Sequence, residues 1–151
     1  MLKPVDDLKT SEELSLQNDM LFLEKTIQEM IIRGNLNAYI AVNLNREIDD
    51  SIPTAAVTFN SNAKDLLLKV NVAGLRKIAA DNSIPFPFFF NIVLEHEFFH
   101  LMLDHLSRLK TIEAPHIIKN YGADMAVNSL IAKKYGINKS TAYDFKHVAS
   151  I

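Results

Sequence analysis

Phe88 to Arg108 reads FFFNIVLEHEFFHLMLDHLSR, and the fold turns on this stretch. Apolar residues point in nearly every direction around a 3.6-residue turn. The pattern predicts one long helix with protein packed on most of its sides. Inside it, His96, Glu97 and His100 form an H-E-x-x-H motif. Four residues advance a helix by about 400°, so the two imidazoles lie about 40° apart and can grip one metal ion. Glu97, about 100° round from His96, stands beside that face. There it can act as base on a water at the metal. Burying two histidines and a glutamate in an apolar helix is costly without a partner, which favours a ligand role over coincidence.

A catalytic zinc usually takes three protein ligands and leaves one position open. The candidates for the third are His105, His116 and Asp124. His105 is nine residues past His96, about 180° round a continuous helix. Leu101-Met102-Leu103-Asp104 holds no Gly or Pro to break that helix, so His105 is expected on its back face or at its end. His116 follows Pro115 at a helix start and is expected at the cleft margin. Asp124 sits among Ala123, Met125, Ala126 and Val127, and a carboxylate buried there wants a cation. It is the expected third ligand, with a structural bond to neighbouring backbone as the alternative. Asn128, one turn on, is placed to hydrogen-bond a ligand; Asp104, one turn after His100, either orients that ring or is an exposed helix-end carboxylate. Tyr121, one turn before Asp124, is a candidate donor to a developing oxyanion, with simple packing as its alternative. Glu95 is read as a surface or capping charge.

Outward from the motif the chain is punctuated clearly. Residues 1–18 are a polar lead-in, in which Thr10-Ser11-Glu12-Glu13 has the form of a capping box. Asp19 to Arg33 has helical spacing and Gly34 is its natural stop. Tyr39–Asn45, Thr54–Asn60 and Asp65–Val70 read as strands, the last two antiparallel across a turn-rich Asn60–Lys64. Ala73–Asp81 reads as a short helix. Pro115 opens a helix to about Tyr135, Gly136 ends it, and Ser140 caps a last short helix to about Ala149. The expected class is α+β: a small, mostly antiparallel sheet on a central motif-bearing helix and a following ligand-bearing helix, with residues 19–151 as one domain.

At 151 residues, 48% apolar and 23% charged, one ordinary globular domain is expected. A net charge of −2 and no basic run speak against nucleic acid or an anionic membrane as partner. The chain has no cysteine, which excludes disulfides and thiolate zinc sites and fits a reducing compartment. The N-terminus MLKPVDDLKTSEE is too polar for a secretory signal. Ile84–Leu94 is too short to span a bilayer. A cytoplasmic protein is expected.

With LEHEFFHLMLDH and NYGADMAVN both identified, the chain resembles the metallopeptidase domain family often fused to a von Willebrand factor A-like domain, a zincin-like group. That family shows H-E-x-x-H-x-x-x-x-H and then A-x-D-x-x-[VI]-N. His96, Glu97, His100 and His105 meet the first element. Asp124, Val127 and Asn128 meet the second, with Gly122 in place of its alanine, and position 104 is Asp where relatives often have Gly. The resemblance covers about residues 38–131. With 23 residues after Asn128, a stand-alone version is expected, similar to small metallopeptidases of bacteria and phages.

The resemblance implies His96, His100 and Asp124 as metal ligands and Glu97 as base. The expected activity is zinc-dependent peptide hydrolysis, with one Zn2+ per chain and a peptide or protein substrate held along the Thr54–Asn60 strand. The alternatives are a non-catalytic binding or assembly protein that keeps a structural metal, and metal-dependent hydrolysis of another bond.

Overall fold

The computed structural model describes residues 10–60 and 65–136. The turn at 61–64 and the helix expected at Ser140–Ala149 lie outside the described residues.

The first helix, α1, runs Ser11–Ile32, eight residues earlier than its apolar spacing predicts. The capping box sets that start: Thr10 Oγ1 accepts from the Glu13 N–H and the Glu13 carboxylate accepts from the Thr10 N–H, both at 3.2 Å. Gly34, at φ 81°, ends it. The Gly34 N–H donates to Ile31 O and the Asn35 N–H to Met30 O, which closes the last turn on itself.

Leu36–Asn43 is a 3-10 helix, where a strand over Tyr39–Asn45 is predicted. Asn35 Oδ1 accepts from the Asn37 N–H and starts a compact turn. Ala38, Ala41 and Leu44 then fall inward every third residue. Local side-chain capping and burial of two alanines override the β-propensity of YIAV.

Three strands follow: β1 (Asn45–Ile48), β2 (Ala55–Asn60) and β3 (Asp65–Val70), in the order β1-β3-β2. β2 pairs antiparallel with β3, as expected, from Ala55↔Val70 to Asn60↔Asp65. β1 pairs with β3 in parallel. The sheet is therefore mixed, and β2 is an edge strand. α2 (Val72–Asp81) is capped by Asn71, whose Oδ1 accepts from the Gly74 N–H. A Cβ at Gly74 would stand 2.6 Å from Asn71 Nδ2 and 3.0 Å from Pro53 O, so glycine is needed for this close approach. Asn71 also donates to Ile52 O, fixing the segment that leads into β2.

α3 spans Phe86–Met102, with prolines at the start where their missing N–H costs nothing. Its buried side chains Phe89, Phe90, Leu94 and Phe98 pack with Leu23 and Ile27 of α1, Leu68 and Val70 of β3 and Leu75 of α2. Phe22, Phe86 and Phe90 form a ring cluster with centroids 4.9 to 5.5 Å apart.

The long helix does not continue to Arg108. It stops at Leu103, Asp104 turns left-handed at φ 53°, and a new turn, α4, covers His105–Arg108. Aspartate is among the few side chains that tolerate this backbone, which otherwise favours glycine. Arg108 Nη1 donates to the freed Leu103 carbonyl. A short 3-10 turn, Leu109–Thr111, leads to α5 (His116–Lys134), followed by Gly136 at φ 64°. The architecture is α+β. Among the described residues, no helix is long and apolar enough to cross a membrane.

Candidate metal centre

α3 and α5 run side by side in opposite directions, and their contacts mesh turn by turn. Ile92 meets Val127 and Ile131 in a small apolar cluster separate from the main core. One turn on, His96 meets Asn128 and Asp124; another turn on, His100 meets Asp124. This register brings together the three residues the motifs single out. His96 Nε2 and His100 Nε2 are 3.0 Å apart. Asp124 Oδ1 lies 3.3 Å from the first and 3.0 Å from the second. Zinc bonds of about 2.0 to 2.1 Å in a tetrahedron put neighbouring ligand atoms about 3.3 Å apart, so the three atoms fit one face of such a tetrahedron. Among the described residues they are a group able to hold a metal ion.

Each histidine is fixed through its other nitrogen. His96 Nδ1 is 3.0 Å from Asn128 Oδ1, an acceptor that selects the tautomer with Nδ1–H and leaves Nε2 to the metal side. His100 Nδ1 is 2.8 Å from His105 Nδ1. His105 reaches that position because the helix breaks at Asp104; a continuous helix would put it on the far face. The unbroken helix is thus corrected, and of the two places expected for His105, back face or helix end, the helix end is the one observed; Asp104 is exposed at the break.

The electrostatics follow from this convergence. Burial pushes the Asp124 carboxyl up, but the two imidazoles beside it pull it further down, well below the ordinary carboxylate range. Burial pushes His96 down, and the carboxylates of Asp124 and Glu97 more than offset it, so the ring is raised. His105 is lowered by burial and by His100.

Glu97 lies beside the ligands. Its Oε2 accepts from the Val57 N–H at 3.2 Å, a donor on the unpaired side of the edge strand. Burial raises its carboxyl, and His96 and His100 offset only part of that rise. A cleft of about 570 Å³ opens in front of this group. One wall is Ile52–Val57; the other carries Tyr121, Asn120 and Ile117 from α5. Tyr121 is 61% exposed at the rim. His116, expected at the cleft margin, is exposed and does not line it, because the first turn of α5 carries it away.

Glu95 overturns its expectation as a surface or capping charge: it is 0% exposed. Its carboxylate accepts from Lys134 Nζ and Tyr135 OH at the end of α5, and from Asn35 Nδ2 and Asn37 Nδ2. Its position three residues after Ile92, on the buried side of an apolar helix, was the available signal.

No protein-family model, curated protein or solved structure matches the chain.

Proposed function

We propose that this chain is a zinc-dependent hydrolase of peptide bonds, with a zincin-like arrangement and membership of the metallopeptidase family its motifs resemble. The observation that carries this reading is the spacing of the three ligand atoms, 3.0 to 3.3 Å. They converge at an open cleft beside Glu97, a second carboxylate that the ligand set does not use. Zinc held by His96, His100 and Asp124 would supply a water of lowered pKa and a polarised carbonyl.

The chain's own residues do the rest. Asn128 and His105 hold the two rings by their Nδ1 atoms, which leaves each Nε2 free to take a metal ion. Glu97, with a raised carboxyl pKa, takes a proton from the attacking water and passes it to the leaving amine. The unpaired edge of β2 offers main-chain groups to an extended peptide, which favours peptides over other hydrolysable substrates. Tyr121 stands at the rim of the same cleft, available to the developing oxyanion. A cysteine-free chain suits a cytoplasmic setting.

The test is elemental analysis of the purified chain, followed by a peptide-library cleavage assay of wild type and Glu97→Gln. About one zinc per chain and cleavage lost only in the variant are expected. A fully zinc-loaded wild type that cleaves no peptide would transfer the site to a binding protein with a structural metal.

A further inference from the structure

Asp124 is the one ligand outside α3, and it reaches the site only if α5 is docked correctly. The apolar hold of α5 on α3 is small: Ile92, Val127 and Ile131, with Phe99 and Leu103 at the margin. Its exposed N-terminal turns carry Ile117, Ile118 and Tyr121, which are 60 to 75% exposed. At the other end stands the Glu95 network. There Lys134 and Tyr135 reach a carboxylate of zero exposure that Asn35 and Asn37 also hold, and the Tyr135 ring meets Phe88 edge-on at 6.2 Å.

We infer that Glu95, Lys134 and Tyr135 form an anchor that positions Asp124 in the metal centre, an inference that rests on the metal site proposed above. Asp124 lies eleven residues before Tyr135, about 16 Å along the helix. A swing of about 10° at the anchor moves Asp124 by about 3 Å, whereas metal–ligand distances tolerate about 0.2 Å. Val127 and Ile131, packed on Ile92 of α3, fix a contact point on the helix but resist rotation about it weakly. The anchor supplies the second point that fixes a line. It is directional as well. A buried carboxylate that accepts from an ammonium, a phenol and two amides admits few orientations of the group that completes it. Asn35 and Asn37 belong to the turn after α1, so α5 is referenced to α1 and α3 together. Glu95, Lys134 and Tyr135 are positioning residues: none belongs to the ligand set or lines the cleft.

The test uses the full chain with zinc alone as probe. Lys134→Gln, Tyr135→Phe and the conservative Lys134→Arg are compared with wild type at a temperature where circular dichroism shows all four folded. Zinc affinity is read by competition with a chromophoric chelator. Amide hydrogen exchange of residues 120–128 is read in the metal-free protein, with α1 as internal reference. Zinc binding is expected to weaken about tenfold in Lys134→Gln and Tyr135→Phe, the size typical of groups that orient ligands. Lys134→Arg should stay close to wild type, and residues 120–128 should exchange faster in the two weakened variants while α1 does not change. Wild-type zinc affinity in both variants would overturn the inference. So would equal acceleration in α1, which would mark a general loss of stability. If wild-type chain takes up no zinc, the proposed function falls, and the exchange measurement still decides the anchor: selective acceleration at 120–128 supports it, and unchanged exchange there overturns it.

Discussion

Glu95 and Glu97 stand one residue either side of His96 on the same helix, about 200° apart around it, and meet opposite environments. Glu95 is sealed among Lys134, Tyr135, Asn35 and Asn37. Glu97 is held by the Val57 N–H and lines an open cleft. Both carboxylates are taken out of bulk water, yet their partner sets differ in kind. A carboxylate met by a cation and three further donors is committed to holding helices together. One met by a main-chain donor, with neighbouring imidazoles and space in front, keeps capacity for a proton and a substrate. The residue type is the same; the completeness of its hydrogen-bonding decides the role.

The largest effect that separates the two is on turnover. Glu97→Gln keeps an acceptor for the Val57 N–H but cannot take a proton. Cleavage should fall by about 10² to 10⁴-fold, the usual contribution of general-base catalysis, with zinc still bound. Steady-state rates on a library-derived peptide, beside zinc analysis of the same samples, measure this. Glu95→Gln should leave the proton-transfer step intact and act through zinc affinity and stability. Equal losses of turnover at saturating zinc in both variants would erase the distinction.

Stability should show the reverse order. Lys134→Met leaves the buried Glu95 carboxylate without its cation. Breaking one side of a buried pair costs about 3 to 5 kcal/mol, and the lower end applies because the Lys134 side chain is 41% exposed. Urea unfolding of the metal-free protein should lose about 3 kcal/mol in this variant and about 1 kcal/mol or less in Glu97→Gln. A larger loss in Glu97→Gln would make the cleft carboxylate the structural one.

Between these lies the support of the ligands. Asn128→Ala removes the acceptor that sets the His96 tautomer, and outer partners of metal-bound histidines are worth about 10 to 100-fold in metal affinity. Chelator competition should show a loss in that range, with turnover at saturating zinc far less affected than in Glu97→Gln.

What could be read from sequence divides along a similar line. The capping box at Thr10, the Gly34 stop, the β2–β3 pairing and the shared face of His96 and His100 depend on residues within a few positions of each other, and periodicity exposes them. Asp124 was legible for a different reason, as a carboxylate in an apolar helix with no local partner. The Glu95 network was not legible, because two of its donors, Asn35 and Asn37, are about 60 residues away and nothing local marks them. The parallel β1–β3 pairing is likewise a long-range choice. The break at Asp104 escaped because neither Gly nor Pro announces it. It depends on Arg108 covering the Leu103 carbonyl and on aspartate tolerating a left-handed backbone.

The smallest effect tests the sealed carboxylate through pH. Burial, and then the hydrogen bond to the charged Glu95, push the Tyr135 phenol above its ordinary value of 10.0. A group whose folded pKa is raised contributes stability that is fully present below the unfolded value and is lost as pH rises through the folded one. Tyr135 should therefore support the fold fully at neutral pH and progressively less above about pH 10, where the unfolded chain releases the proton and the folded chain resists doing so. Tyr135→Phe should be less stable than wild type by about 1 to 1.5 kcal/mol at pH 7, the low end for a hydrogen bond to a charged group, since Tyr135 is 36% exposed. The gap should narrow as pH climbs past 10, because only wild type has this phenol to lose. Denaturant midpoints of both proteins from pH 7 to 11 give the comparison directly. A gap that stays constant across that range would mean that the phenol does not donate to Glu95. The anchor would then rest on Lys134 and the two asparagines alone.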